Sequence, residues 1–271
     1  MEIKKIVIIG GGNLGTSIAS GLLKLQDFNH EDVIISEKRV SRIKYLQDKG
    51  FNVVANDNQK AVKNADIVIV SVKPQQINEV LDEIKPTYDS DKQILISTVT
   101  GYNMIDLEKK MGKIGIVRIM PNTAIEIRES MTCISFLNTK RNQEEAILDL
   151  FSKLGKALVV QEELMGAVTV LGACGVAFAL RFIRAATQGG IEIGFSAEMS
   201  QLIASQTVKG AAQLILENNS HPEKEIDKVT TPQGITISGL NEMEHQGFSS
   251  ALIKGLITSY NKLEKFATNS N

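Results

Sequence analysis

Residues 5–9 (KIVII) form a short β-branched run. It leads directly into Gly10-Gly11-Gly12-Asn13-Leu14-Gly15, and then into apolar residues at helical spacing over 14–25. A G-x-G-x-x-G loop between a strand and a helix constrains the fold more than any other feature of this chain. Gly10 permits the tight turn. Gly12 removes a Cβ where backbone approaches a pyrophosphate, and Gly15 lets helix and strand pack closely. The free N–H groups at the helix start, from Asn13 and Leu14 onward, then face the anion. A plain left-handed turn is the alternative, and the alternation that follows argues against it.

Further strands are expected at 32–36, 51–55, 66–72, 93–98 and 114–120, with helices at 39–49, 58–64, 76–85 and 105–111. Continuous β-branched runs suit parallel strands buried on both faces. Such alternation predicts an α/β fold, a Rossmann-type doubly wound parallel sheet. A strand at 131–136, a helix at 143–154 and a strand at 157–160 complete a dinucleotide-binding domain over 1–161.

From residue 162 strand signals vanish. Helices are expected at 163–187, 196–218, 236–244 and 248–266, with turn residues around Ile226. Residues 162–271 therefore read as an all-helical domain. Its small residues, such as Ala173, Ala177, Ala204 and Ala211, suit tight packing, including packing against a second copy of the chain. The tail after Phe266 is expected to fray.

Composition narrows the function classes. Thirty Lys and Arg against 31 Asp and Glu leave a net charge of −1, with no basic tail, so no nucleic-acid footprint is expected. Cys133 and Cys174 form no disulfide framework, and no metal-ligand spacing occurs. The N-terminal apolar run is too short for a secretory signal. No stretch reads as the ~20 apolar residues of a membrane span. The most apolar segment, 167–183, is interrupted by glycines and Arg181 and is expected to be a buried helix. A cytoplasmic protein with no membrane partner is the expectation.

Ribose recognition belongs ~20 residues past the glycine loop. There the chain reads Ser36-Glu37-Lys38-Arg39. Glu37 would accept from a 2′-hydroxyl, favouring NADH. Lys38 and Arg39 would pair with a 2′-phosphate, favouring NADPH, or simply begin a solvated helix. The balance leans to NADPH, with NADH open.

Three more stretches stand out: SVKPQQ at 71–76, RIMPNTA at 118–124 and VTTPQGITISGLNEME at 229–244. The first two lie at C-terminal strand ends, where parallel sheets place ligands. In the third, Thr236 sits at a helix start suited to a carboxylate. With the glycine loop, the GGIEIG at 189–194 and His221-Pro222, they resemble the pyrroline-5-carboxylate reductase family along essentially the whole chain. The resemblance implies an NAD(P)H-binding Rossmann domain and a helical domain that interlocks with its copy in a homodimer. It also implies a ring of dimers as a larger assembly, and reduction of the cyclic imine 1-pyrroline-5-carboxylate to L-proline as the activity. It implies that Asn58 and Val72-Lys73-Pro74 line the adenosine and ribose side. Met120, Pro121, Asn122 and Thr123 would lie near the nicotinamide. Val229, Thr231, Gly234 and Thr236 would hold the substrate carboxylate, and Thr236 would serve the imine nitrogen as the catalytic residue.

Departures from the family pattern fall mostly around that pocket. The usual S-G-x-G-P-A is Gly172-Ala173-Cys174-Gly175-Val176-Ala177, the usual S-P-G-G is Thr231-Pro232-Gln233-Gly234, a common acidic residue is Arg184, and a common Pro is Ala124. They keep two alternatives open: a divergent reductase acting on another imine or keto acid, and a non-catalytic NAD(P)-binding regulator. His30, His221 and His245 read as structural, and Cys174 as an inert thiol. Arg181 and Arg184 either bind an acid or pair across a dimer.

Overall fold

The computed structural model describes residues 1–268; the last three residues of the expected frayed tail lie outside the described residues. The chain forms two compact units. One is Met1–Cys174 with the chain from Tyr260 onward, and the other is Gly175–Ser259.

The first unit is built on one eight-stranded sheet. Its elements run β1 (Ile6–Ile9), α1 (Asn13–Leu23), β2 (Val33–Glu37), α2 (Val40–Asp48), β3 (Asn52–Ala55), α3 (Asn58–Val62) and β4 (Ile67–Val70). They continue with α4 (Ile77–Ile84), β5 (Ile94–Ser97), α5 (Met104–Met111), β6 (Ile116–Met120), β7 (Ser130–Leu137), α6 (Arg141–Ser152) and β8 (Gly155–Val159). The strand order β3-β2-β1-β4-β5-β6-β7-β8 reverses direction beside β1, as a doubly wound sheet does. Every residue of β1, β2, β4, β5 and β6 is buried, because helices cover both faces. Ile6 and Ile8 face one apolar layer with α1 and α6, while Val7 and Ile9 face the other with α3, α4 and α5.

The all-parallel expectation fails at one pairing. β7 runs antiparallel to β6, with Val117 opposite Phe136 and Met120 opposite Cys133. A single 3₁₀ turn, Thr123–Ile127, connects the two, and such a link is too short for the crossover a parallel return needs. That turn packs on α1 so closely that a Cβ at Gly21 would lie 2.4 Å from the Ile125 carbonyl oxygen. β8 then pairs parallel to β7.

The expected helix over 163–187 is a composite. It begins as a 3₁₀ turn (Glu162–Leu164), becomes α7 (Met165–Val168), widens into a π-helical stretch (Thr169–Cys174) and resumes as α8 (Gly175–Glu192). Glu162 anchors its start: Oε1 accepts from the Met104 amide at 2.7 Å and from Arg118 Nη1 at 3.1 Å, within the first unit.

The helical unit contains α8, then α9 (Ala197–Asn218), α10 (Pro222–Lys228), α11 (Ile235–His245) and the start of α12 (Phe248–Thr268). Two expectations are corrected here. The turn expected around Ile226 is the helix α10, capped by His221, whose Nδ1 accepts from the Glu223 amide, with Pro222 at the first helical position. The segment expected to be a buried helix is mostly uncovered in the chain: of 167–183 only Thr169 and Val170 are buried, and α8 buries no residue. An 18-residue window within Glu162–Glu192 also reaches a mean hydropathy of 1.9, so this helix is long and apolar enough to cross a membrane by those measures, against the expectation for this chain. Its alanines count as apolar without filling a core, so the sequence conceals a face that finds no partner among the described residues.

Candidate functional site

The glycine loop separates into positions the fold requires and one it does not. Gly10 has φ +107°, and a Cβ there would stand 2.3 Å from the Ser71 carbonyl oxygen at the end of β4. A Cβ at Gly15 would stand 2.0 Å from the Gly10 carbonyl oxygen. Both must be glycine for the turn and α1 to reach the sheet. Gly12 differs, because a Cβ there would meet nothing within 4 Å. Gly12 is also the N-cap of α1, with no side chain capping the first turn. Open space therefore lies before amides that intrahelical bonding leaves without partners, the arrangement that receives a phosphate.

Around this turn lies a cleft of about 260 Å³ at the C-terminal ends of β1, β2 and β4. It brings together Gly10, Gly12, Ser36, Glu37, Lys38, Asn58, Val72 and Lys73, expected from sequence to meet a cofactor. It also includes Arg39, weighed from sequence for a 2′-phosphate, Ser71 and Gln76 from the 71–76 stretch, and Ile9, Glu79 and Val80, which the motif reading did not single out. Asn13, Leu14 and Gly15 lie on α1 directly behind the loop, and Pro74 opens a 3₁₀ turn that leads to α4.

Glu37 is the most constrained group in the cleft. It is 6% exposed, and its carboxylate accepts from the amides of Gly11 (3.1 Å), Lys38 (3.0 Å) and Arg39 (3.0 Å). Arg39 adds Nε at 3.1 Å and Nη2 at 2.9 Å. Burial pushes the Glu37 carboxyl up, but the hydrogen bonds and charge of Arg39 outweigh it and hold the carboxyl below its ordinary range. Lys38 turns the other way: its Nζ lies 2.7 Å from Glu83 and 2.9 Å from Glu79 on α4. These two carboxylates raise the ammonium above its usual pKa. Asn58 joins both sides, accepting from Ser36 Oγ at 2.7 Å and donating to Glu83. Arg42 donates to the Gly11 carbonyl and to Thr16 Oγ1 and stacks 4.5 Å from the Tyr45 ring, bracing the loop from α2.

The second expected group lies elsewhere in the same unit. Met120, Pro121 and Asn122 end β6 and are buried, while Thr123 is exposed. The Asn122 side chain is fully committed. Oδ1 accepts from the Ala124 amide at 3.0 Å, capping the 3₁₀ turn, and Nδ2 donates to the Gly172 carbonyl at 3.1 Å. Gly172 belongs to the π-helical stretch, whose wider turn shifts the carbonyl pattern of an ordinary helix. Cys174 closes that stretch half-buried, and Cys133 is buried in β7 with its thiol pushed up by desolvation.

The third expected group belongs to the helical unit. Residues 231–234 form a tight turn closed by the Gly234 amide on the Thr231 carbonyl at 2.9 Å. Pro232 is second and Gln233 third, with φ +57° at Gln233. That is the pattern of a type II turn, whose third position favours glycine. Gly234 caps α11 without a side-chain bond, and a Cβ there would lie 2.6 Å from Thr231 Oγ1. Thr236 is the second residue of α11, and Val229, Thr231 and Thr236 are all exposed. The helix start thus presents unpartnered amides and two hydroxyls, enough to hold a small carboxylate. Among the described residues, Arg184 lines a groove between α8 and α9 with Thr187, Gln188, Glu198 and Gln201.

Comparison with known proteins agrees with this arrangement. Residues 162–266 match the family model for pyrroline-5-carboxylate reductase dimerisation, and residues 5–101 match one for coenzyme F420-dependent NADP oxidoreductases. Pyrroline-5-carboxylate reductase 1 of Dictyostelium discoideum is 45% identical over 97% of this chain, which spans 50% of that protein's length. Pyrroline-5-carboxylate reductase 2 of the same organism is 40% identical over 97% of this chain and 93% of its own length. The crystal structure of Plasmodium falciparum pyrroline carboxylate reductase with NADP bound superposes with a TM-score of 0.87 at 25% identity, covering 98% of this chain and 99% of that one. With its sheet order, its glycine cleft and its helical unit, this chain belongs to the pyrroline-5-carboxylate reductase family.

Proposed function

We propose that this protein is an NAD(P)H-dependent pyrroline-5-carboxylate reductase, forming L-proline in the cytoplasm. The observation that carries the reading is the open space at Gly12, between two glycines the fold itself requires. Packing gives no reason for that third glycine, and a dinucleotide phosphate does. Bound NAD(P)H supplies the hydride for the imine carbon.

The chain's own residues bind and position. Gly10, Gly12, Asn13, Leu14 and Gly15 cradle the diphosphate, and Ser36, Glu37, Lys38, Asn58, Val72, Lys73 and Pro74 surround the adenosine and its ribose. Met120, Pro121, Asn122 and Thr123 form the nicotinamide side. The amides at the start of α11, with Val229, Thr231 and Gly234, hold the substrate carboxylate without an arginine. Thr236 Oγ1 donates to the ring nitrogen of the neutral imine and accepts from its N–H once that nitrogen is protonated; a hydroxyl alone is a weak acid, so its contribution is orientation as much as proton relay. A protonated imine already accepts hydride well, so holding the two rings together and excluding water is the main work.

The helical half, 162–271, works as the dimerisation and substrate domain beside the dinucleotide-binding 1–161. The working particle is a homodimer, with a ring of dimers as its larger form, and it needs neither nucleic acid nor membrane. The positive φ of Gln233, in a turn where the family carries glycine, favours one second reading: a reductase of the same fold whose preferred imine or keto acid differs.

Oxidation of NADH and NADPH with 1-pyrroline-5-carboxylate, alongside a panel of imines and keto acids, decides between them. Proline formation is expected. Turnover of other compounds alone supports the second reading, and dinucleotide binding with no turnover refutes both. In the same assay Thr236→Ala should lower kcat by roughly 100-fold while cofactor affinity stays nearly intact. Full activity in that variant removes Thr236 from the mechanism.

A further inference from the structure

The two lysine and arginine charges that would welcome a 2′-phosphate are already engaged. Lys38 Nζ sits between Glu79 and Glu83, at 2.9 and 2.7 Å, on a neighbouring helix. Arg39 is folded onto Glu37 through two hydrogen bonds. A phosphate would have to draw both cations from carboxylates that remain behind.

The three carboxylates are not equally free to yield. Glu37 is fixed by three backbone amides, those of Gly11, Lys38 and Arg39, which cannot leave without unwinding the glycine turn or the start of α2. The Arg39 side chain is 63% exposed and can swing. Its departure would uncover a fixed negative charge at the end of β2, beside the loop that receives the diphosphate. A ribose 2′-hydroxyl donates a hydrogen bond to such an oxygen, whereas a phosphate dianion is repelled by it.

We infer that Glu37 is a specificity-determining residue that selects NADH over NADPH, with Glu79 and Glu83 reinforcing the choice by holding Lys38 away. This rests on the dinucleotide reading above and deepens it. The three backbone amides go on donating to the Glu37 carboxylate when the Arg39 side chain leaves, and such bonds favour its ionised form.

Binding of each reduced dinucleotide to the intact protein, followed by intrinsic nicotinamide fluorescence without any imine, tests this separately from catalysis. NADH should bind at least about tenfold more tightly than NADPH, the size expected for one unrelieved like-charge contact. Glu37→Gln keeps the shape and removes the charge, and should narrow the ratio to within about threefold. Should that variant fail to fold, the pair Glu79→Gln with Glu83→Gln releases Lys38 and should move the ratio in the same direction. Equal or tighter NADPH binding by the unmodified protein overturns the inference, as does a preference that survives loss of the Glu37 charge. Neither result touches the reductase reading; loss of all dinucleotide binding in the unmodified protein would.

Discussion

β1 and β4 bury every side chain they carry, while α8 and α11 in the other unit bury none, and α9 buries only Ser200 and Ala204. Both units are apolar, but only the first has a use for that within one chain. In the helical unit Leu180, Ile193, Leu202, Leu216 and Ile235 are each more than half exposed. Burying each would contribute about 1.5–3 kcal/mol, so a unit that leaves such groups in water is half of a core. The match of residues 162–266 to a dimerisation family names what completes it. The sheet unit is thus a fold by chain, and the helical unit a fold by assembly.

The largest effect should come from breaking the assembly. Leu202→Glu places a charge on α9 where the chain leaves leucine 70% exposed. It should cost about 3 kcal/mol or more of association free energy and yield monomers with reduced helical signal, read by light scattering and circular dichroism. A variant that stays dimeric would break the comparison. The sheet unit is challenged by Gly15→Ala. Its added Cβ meets the Gly10 carbonyl in a packed layer, so a loss of about 2–3 kcal/mol in denaturant unfolding and of dinucleotide binding is expected, with oligomer size unchanged. The smallest effect is a gain. Gln233→Gly relieves a left-handed turn residue and should stabilise by about 0.5–1 kcal/mol, seen as a rise in Tm, while substrate KM reports whether the side chain matters. No gain would mean that the turn holds Gln233 without strain.

The same contrast governs what could be read from sequence. Strands buried on both faces write themselves as unbroken runs such as IVII and IVIV, and the glycine loop carries its own flanks, so the sheet and the cleft at Gly10, Gly12, Ser36, Glu37 and Asn58 are legible. Thr236 at the start of α11 follows from the turn chemistry before it. The direction of β7 is not legible, because a five-residue 3₁₀ turn looks like any loop. Nor is α10: PEKEIDK offers one large apolar side chain, and only His221-Pro222 signals a capped start. The partners of Lys38 lie 41 and 45 residues away on another helix, beyond any local pattern, so its basic character pointed to phosphate when its charge was already spoken for. An apolar helix reads the same whether its partner is the same chain or another, and for that reason 167–183 looked buried.

Asn122 has one side chain and two structural obligations, the 3₁₀ turn after β6 and the carbonyl of Gly172. A shift in either therefore tugs on the other, as two levers share a single pin. Removing that one amide, as in Asn122→Ala, would free the 3₁₀ turn and the widened coil at 169–174 together, both within the first unit.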